Sequence, residues 1–150
     1  MRERTPQDVY EELSAEGAYE EAGCDKDEIT KIKTLTLQDY EYGKMLKKLQ
    51  NPNWRVIFNI HYDALRELCD ALIRFKQQKT SNHQGVFAFI ILQFPELEFD
   101  WKFFEIVRTV RNNNKYRGTD ISKETWKNAE LQMDFYIKGL TEQIEKRLKE

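Results

Sequence analysis

Apolar residues recur along most of this chain at helical spacing. The clearest stripe is Ile57, Ile60, Ala64, Leu68, Leu72 and Phe75, at intervals of 3, 4, 4, 4 and 3. A second comprises Trp126, Ala129, Met133, Ile137, Leu140, Ile144 and Leu148, at intervals of 3, 4, 4, 3, 4 and 4. Side chains so spaced share one face of an α-helix, so each stripe predicts a long helix with one core-facing side. Phe103, Phe104, Val107 and Val110 predict another, opening near Trp101. Leu37, Tyr40, Met45, Leu46 and Leu49 predict one that stops at Asn51-Pro52. Capping residues support these starts. Asn53 and Ser122 precede the two long stripes, and Thr36-Leu37-Gln38-Asp39 sets an acid three residues after a capping hydroxyl.

Three segments read less simply. Val86–Leu92 is a continuous apolar run with the composition of a buried strand. No second strand candidate exists to pair with it, and an isolated strand leaves backbone groups unpaired. The run is therefore expected to be a helix, after a turn at Ser81-Asn82-His83-Gln84-Gly85. At the N-terminus, Thr5-Pro6-Gln7-Asp8 starts a helix whose apolar face, Val9 and Leu13, is thin. Residues 1–35 are expected to form an acidic arm, free to move in solution, with Lys31–Thr36 as connector and 36–150 as the bundle. Asn112-Asn113-Asn114 is expected to resist helix continuation, because asparagine side chains compete with the backbone for hydrogen bonds. The predicted fold is an all-α, up-and-down helical bundle of four to five main helices with an acidic N-terminal helical arm.

Composition narrows the class. A chain of 150 residues, 40% hydrophobic and 13% aromatic, can bury one core. No apolar run approaches the roughly 20 residues of a membrane span. The opening Met-Arg-Glu-Arg-Thr-Pro has no apolar segment, and the expected location is cytoplasmic. Cys24 and Cys69 match no zinc or redox spacing, so reduced thiols without metal or cofactor are expected. The net charge of −2 hides an asymmetry. Residues 1–30 carry three basic and ten acidic side chains, −7, and the remaining 120 carry +5.

The candidate chemistry lies in Trp101–Gly118, where five cations meet one acid. Arg108, Arg111 and Lys115 fall at i, i+3 and i+7 on one helix face, with Asn112, Tyr116 and Arg117 beside them. Such a face either meets phosphate or is solvated and paired with neighbouring acids. The aromatic residues Trp101, Phe103 and Phe104 keep helical period and are expected in the core. His61 is expected to be structural. His83 is expected to cap a helix or to be a buried, hydrogen-bonded side chain, with a catalytic role as the alternative.

Tyr62-Asp63-Ala64-Leu65-Arg66-Glu67-Leu68-Cys69-Asp70-Ala71-Leu72, then Ser81–Phe89, then Val107-Arg108-Thr109-Val110-Arg111-Asn112 with Tyr116 and Gly118 behind, resembles the HEPN superfamily of small helical bundles. The resemblance covers about residues 40–148. Many members are metal-independent endoribonucleases with an Arg, a polar residue, three to five more residues, and then His. Arg111 matches the Arg and Asn112 the polar residue, but Tyr116 stands where His is expected. Imidazole titrates near neutrality and a phenol near 10, so a phenol is a poor general base.

The resemblance implies a homodimer formed through the motif-bearing helices. It implies a ribonuclease-like site binding RNA or a nucleotide, with Arg111 and Tyr116 in the catalytic positions. Arg108, Asn112, Lys115 and Arg117 would bind the ligand, and cleavage is expected to be weak or lost. It also implies a toxin–antitoxin context with a minimal nucleotidyltransferase as partner; the alternative to a ligand-binding site is that the chain is a non-catalytic interaction module for that partner. In some such pairs the partner attaches AMP to a Tyr two residues after the motif His; here that position is Gly118.

Overall fold

The computed structural model describes residues 3–150, and they form an all-α helical bundle. Six α-helices follow in order: α1 (Pro6–Ala15), α2 (Lys26–Leu46), α3 (Trp54–Ile73), α4 (His83–Gln93), α5 (Trp101–Tyr116) and α6 (Lys123–Leu148). Two short strands, β1 (Glu20–Glu21) and β2 (Gln78–Lys79), pair antiparallel with Glu20 opposite Lys79. No helix among the described residues is long and apolar enough to cross a membrane.

Helix α3 is the axis of the core. It buries the predicted stripe residues Ile57, Ala64, Leu68 and Leu72, and also Phe58, Tyr62, Leu65, Cys69 and Ile73 from other faces. Burial on several sides requires neighbours on several sides, and α2, α4, α5 and α6 supply them. Helices α2 and α3 run antiparallel, whereas α3 and α6 ascend together, Trp54 beside Lys123 and Phe58 beside Trp126. Thr36, Tyr40 and Gly43 of α2 meet Glu67, His61 and Ile60 of α3 in descending order. Gly43 marks the closest approach: a Cβ there would stand 2.7 Å from Ile60 Cγ2. Helix α6 buries Trp126, Met133, Ile137, Leu140 and Ile144 against this axis, along its predicted stripe.

The apolar run at 86–92 is helical, as its lack of a strand partner predicts. Val86 to Ile90 are all buried because α4 is covered by α1, α3 and α5 together. Asn82 caps it through the Gly85 N–H at 2.8 Å.

Two expected boundaries are corrected. The break near residue 35 falls inside α2, which starts at an Asp25 cap and runs through the expected connector. Thr36 does not cap a helix; its hydroxyl donates to Glu67 Oε2 at 3.0 Å across the α2–α3 seam. The three asparagines do not stop α5 either. The helix continues to Tyr116, and Gly118, at φ 68°, turns the chain while the Thr119 N–H closes on the Asn113 carbonyl. Asn114 is tolerated because its buried side chain is occupied by Asn59 and by the Val110 carbonyl of its own helix.

The N-terminal helix is docked. The Thr5–Asp8 capping box forms as the sequence predicts. Val9 and Leu13 are buried with Ala88 of α4, and Tyr10 and Tyr19 pack on Phe89. Tyr19 donates to the Gly85 carbonyl at 2.7 Å, and Arg4 pairs with Glu12 within the same segment. Two apolar residues suffice here because Tyr10 and Tyr19 extend the contact along α4 to Phe89.

Candidate functional site at the junction of α3, α4 and α5

Helices α3 and α5 are stitched by polar pairs. Asn59 and Asn114 exchange two amide hydrogen bonds, at 2.8 and 2.9 Å, in a buried position. One turn away, Arg111 Nη2 donates to Asp63 Oδ1 at 3.0 Å. The guanidinium of Arg111 also lies over the ring of Tyr62, 5.5 Å from its centroid. The Arg111 side chain is only 12% exposed, whereas that of Asp63 is 40% exposed. Arg108 pairs within its own helix with Glu105 at 3.1 Å, and Glu105 also accepts from Gln84 of α4. For these two arginines the structure realises pairing with acids, one of the two arrangements the sequence leaves open.

The remaining motif residues are dispersed along the end of α5. Asn112 is half-buried, while Lys115, Tyr116 and Arg117 are exposed. Tyr116 is 77% exposed and makes no hydrogen bond with the described residues, so nothing holds its phenol against Arg111.

The structure instead brings His83 to the motif. Its Nδ1 lies 3.1 Å from the hydroxyl of Tyr62, the same ring that carries Arg111 on it. Tyr62 is fully buried, with Phe87 edge-on at 6.0 Å. Burial drives the His83 pKa down to about 4, and Arg66, Arg111 and Arg108 add to the effect, with Asp63 opposing them. The imidazole is therefore neutral at physiological pH and sits beside three guanidinium groups, each paired with its own carboxylate. Burial also raises the Tyr62 phenol, which keeps it protonated. Arg66, one turn from Tyr62, pairs with Asp70 at 2.7 Å. Asp70 is pushed up to about 6 by burial, with Arg66 pulling the other way.

His83 and Arg66 open onto a groove of about 870 Å³ between α2, α3 and the β-ladder. Thr36, Asp39, Asp70 and Arg74 also line it. No group of three or more His, Cys, Asp or Glu among the described residues is arranged to hold a metal. His61, by contrast, is structural: fully buried, its Nδ1 on the Ile57 carbonyl at 2.8 Å and its ring 4.4 Å from that of Trp126.

Sequence reasoning missed Tyr62, Asp63 and Arg66 as parts of the site. Their signal was present, since Tyr62 and Arg66 lie at i and i+4 on one face of α3. No local pattern carried His83 to Arg111, because they belong to different helices. The chain matches no family model, no curated protein and no solved structure.

Proposed function

We propose that this chain is a HEPN-type helical domain that binds the phosphate of an RNA or a nucleotide beside Arg111, and that it associates as a homodimer. The observation that carries the reading is the convergence of Arg111 and His83 on Tyr62, with Arg66 and Arg108 close enough to bias the imidazole. A positive local field around a neutral hydrogen-bonding ring favours an anion. A phosphate oxygen reaching Arg111 competes with a part-solvated carboxylate, Asp63, and charge-assisted bonds to guanidinium are among the stronger polar contacts. Asn112, Lys115, Tyr116 and Arg117 extend the face along α5 and would guide a longer strand.

Ribonuclease chemistry is weak or lost in this reading, because Tyr116 is an exposed phenol in the position of the family's base. The test is fluorescence anisotropy with short single-stranded RNA at low salt, for the wild type and Arg111→Ala. Binding that weakens in the variant and falls with added salt supports the proposal. Absence of binding by the wild type at low salt removes it.

A second reading has its own observation. Leu35, Tyr42, Met45 and Leu49, spaced 7, 3 and 4 residues apart, are each more than half exposed on and just beyond α2. Exposed apolar residues at heptad-like spacing suit a protein partner. In this reading the chain is an interaction module of a toxin–antitoxin pair, seated on a minimal nucleotidyltransferase, and the Arg111–Asp63 pair is architectural. Co-purification of a stoichiometric complex, lost in Tyr42→Glu, is its test.

A further inference from the structure

We propose that the end of the α2–α3 groove at His83 is the seat of the bound phosphate, and that His83 takes up a proton from solvent as the anion arrives. The inference rests on the phosphate-binding reading and adds a place and a pH dependence to it. The place follows from geometry. His83 is the first residue of α4, anchored by the Asn82 cap beneath it and by Tyr62 beside it. Arg66, Lys79, Thr80 and Ser81 line the same end of the groove. A phosphate lodged there would meet hydroxyl donors and the N-terminal end of a helix, and would take the guanidinium of Arg66 and the ammonium of Lys79 from their present partners, Asp70 and Glu20.

The proton follows from the charges that face the imidazole. From α3 come Tyr62, Asp63 and Arg66, and from α5 Arg108 and Arg111. Glu105 of α5 is tied to Arg108, and across the groove stand Glu20, Asp39, Glu67, Asp70, Arg74 and Lys79. The free chain keeps His83 neutral chiefly because it is part-buried, and because Arg66, Arg111 and Arg108 act on it more strongly than Asp63. A bound anion reverses the second cause, and the imidazolium form then becomes favourable. The proton enters the ring, and the Tyr62 hydroxyl, which can accept as well as donate, reverses its role toward Nδ1. Nothing is oxidised and no covalent bond to the ligand forms.

Two measurements on the full chain test this. The first follows the His83 ring proton by NMR during pH titration, with and without sulfate, a dianion whose own charge is constant over the range used. The expected result is an upward shift of about one pH unit or more in saturating sulfate. The second compares RNA affinity at pH 7.5 and pH 5 for the wild type and His83→Asn, with circular dichroism confirming that the variant is folded. A wild type that binds roughly tenfold more tightly at pH 5, with most of that gain lost in the variant, supports the inference. Asp70 also loses charge in this window, and the gain that survives in the variant measures its share. Arg111-dependent RNA binding with an unmoved His83 titration, or with the same pH response in both proteins, overturns this inference and leaves the binding reading intact. No RNA binding at either pH overturns both.

Discussion

Asn59 and Asn114 face each other across α3 and α5 as a buried pair of amides, each donating to the other's oxygen. The pair satisfies two side chains that would otherwise be costly to bury, and it carries α5 through a run of three asparagines. It also fixes the register that sets Arg111 opposite Asp63 one turn away. Asn114→Ala leaves Asn59 without its partner, and the expected loss is about 2–3 kcal/mol. Chemical denaturation measures it. A variant as stable as the wild type would mean that the amides are solvated rather than paired.

Arg111 and Asp63 give a second prediction. A double-mutant cycle with Arg111→Ala and Asp63→Ala should show coupling of about 1 kcal/mol or more, because the arginine is largely withdrawn from water. Asp63→Asn should at the same time strengthen RNA binding, since it removes the anion that competes for the guanidinium. Stability coupling without any effect on RNA would assign the pair to architecture.

Acid sensitivity follows from the two histidines. Both are held below the ordinary value, His61 and His83 alike chiefly by burial. The folded state therefore binds fewer protons than the unfolded chain. The stability they support is fully present above about pH 6.5 and is lost as pH falls through each folded value. Asp70 acts with the opposite sign. Its raised pKa, about 6, contributes stability that is complete below the unfolded value near 3.8 and disappears as pH rises through 6. The urea midpoint should thus fall between pH 6.5 and 4, and His83→Asn should flatten the fall across that whole window. A midpoint that rises on acidification over this range would contradict the signs given.

The docking of α1 on α4 is testable by truncating either side. Leu13→Ala should cost about 2–3 kcal/mol, since Leu13 is 8% exposed against Gly85 and Ala88. Gly85→Ala should also destabilise, because a Cβ there would stand 2.7 Å from Leu13 Cδ1. Thermal denaturation reads both. Unchanged melting in the two variants would return α1 to the mobile arm expected of its thin apolar face.

The exposed residues of α2 give a prediction on assembly. Should this face hold a second copy in place of a different protein, and the dimer form there and not through α5, Tyr42→Glu with Met45→Glu should shift the chain to a smaller species in light scattering. Flanking charges of both signs, Glu41 and Lys48, suit an antiparallel two-fold contact, in which each meets the other from the partner copy. A wild type that is monomeric at high concentration excludes the homodimer.

Much of this architecture is written in short-range pattern. Helix spacing, the Thr5, Asn53 and Ser122 caps and the stripe of α6 each depend on residues within one or two turns, so the chain itself specifies them. The apolar run of α4 was resolved as a helix by an argument about unpaired backbone groups, which also needs no tertiary contact. What failed was where the pattern was weak. Thr36 resembles a cap, but the helix begins at Asp25, and the hydroxyl is claimed by Glu67, 31 residues away. The asparagine run resembles a stop, but Asn114 finds its partner 55 residues earlier in the chain.

The all-α bundle, its long helices and the cations of α5 are legible in the chain alone, because helical period and charge are local properties. The pairing of Arg111 with Asp63, the open position of Tyr116 and the sharing of Tyr62 by His83 and Arg111 arise in the folded chain. Those relationships depend on the register and crossing of α3, α4 and α5. That register is set by long-range packing of side chains and has no signature in the spacing along any one helix.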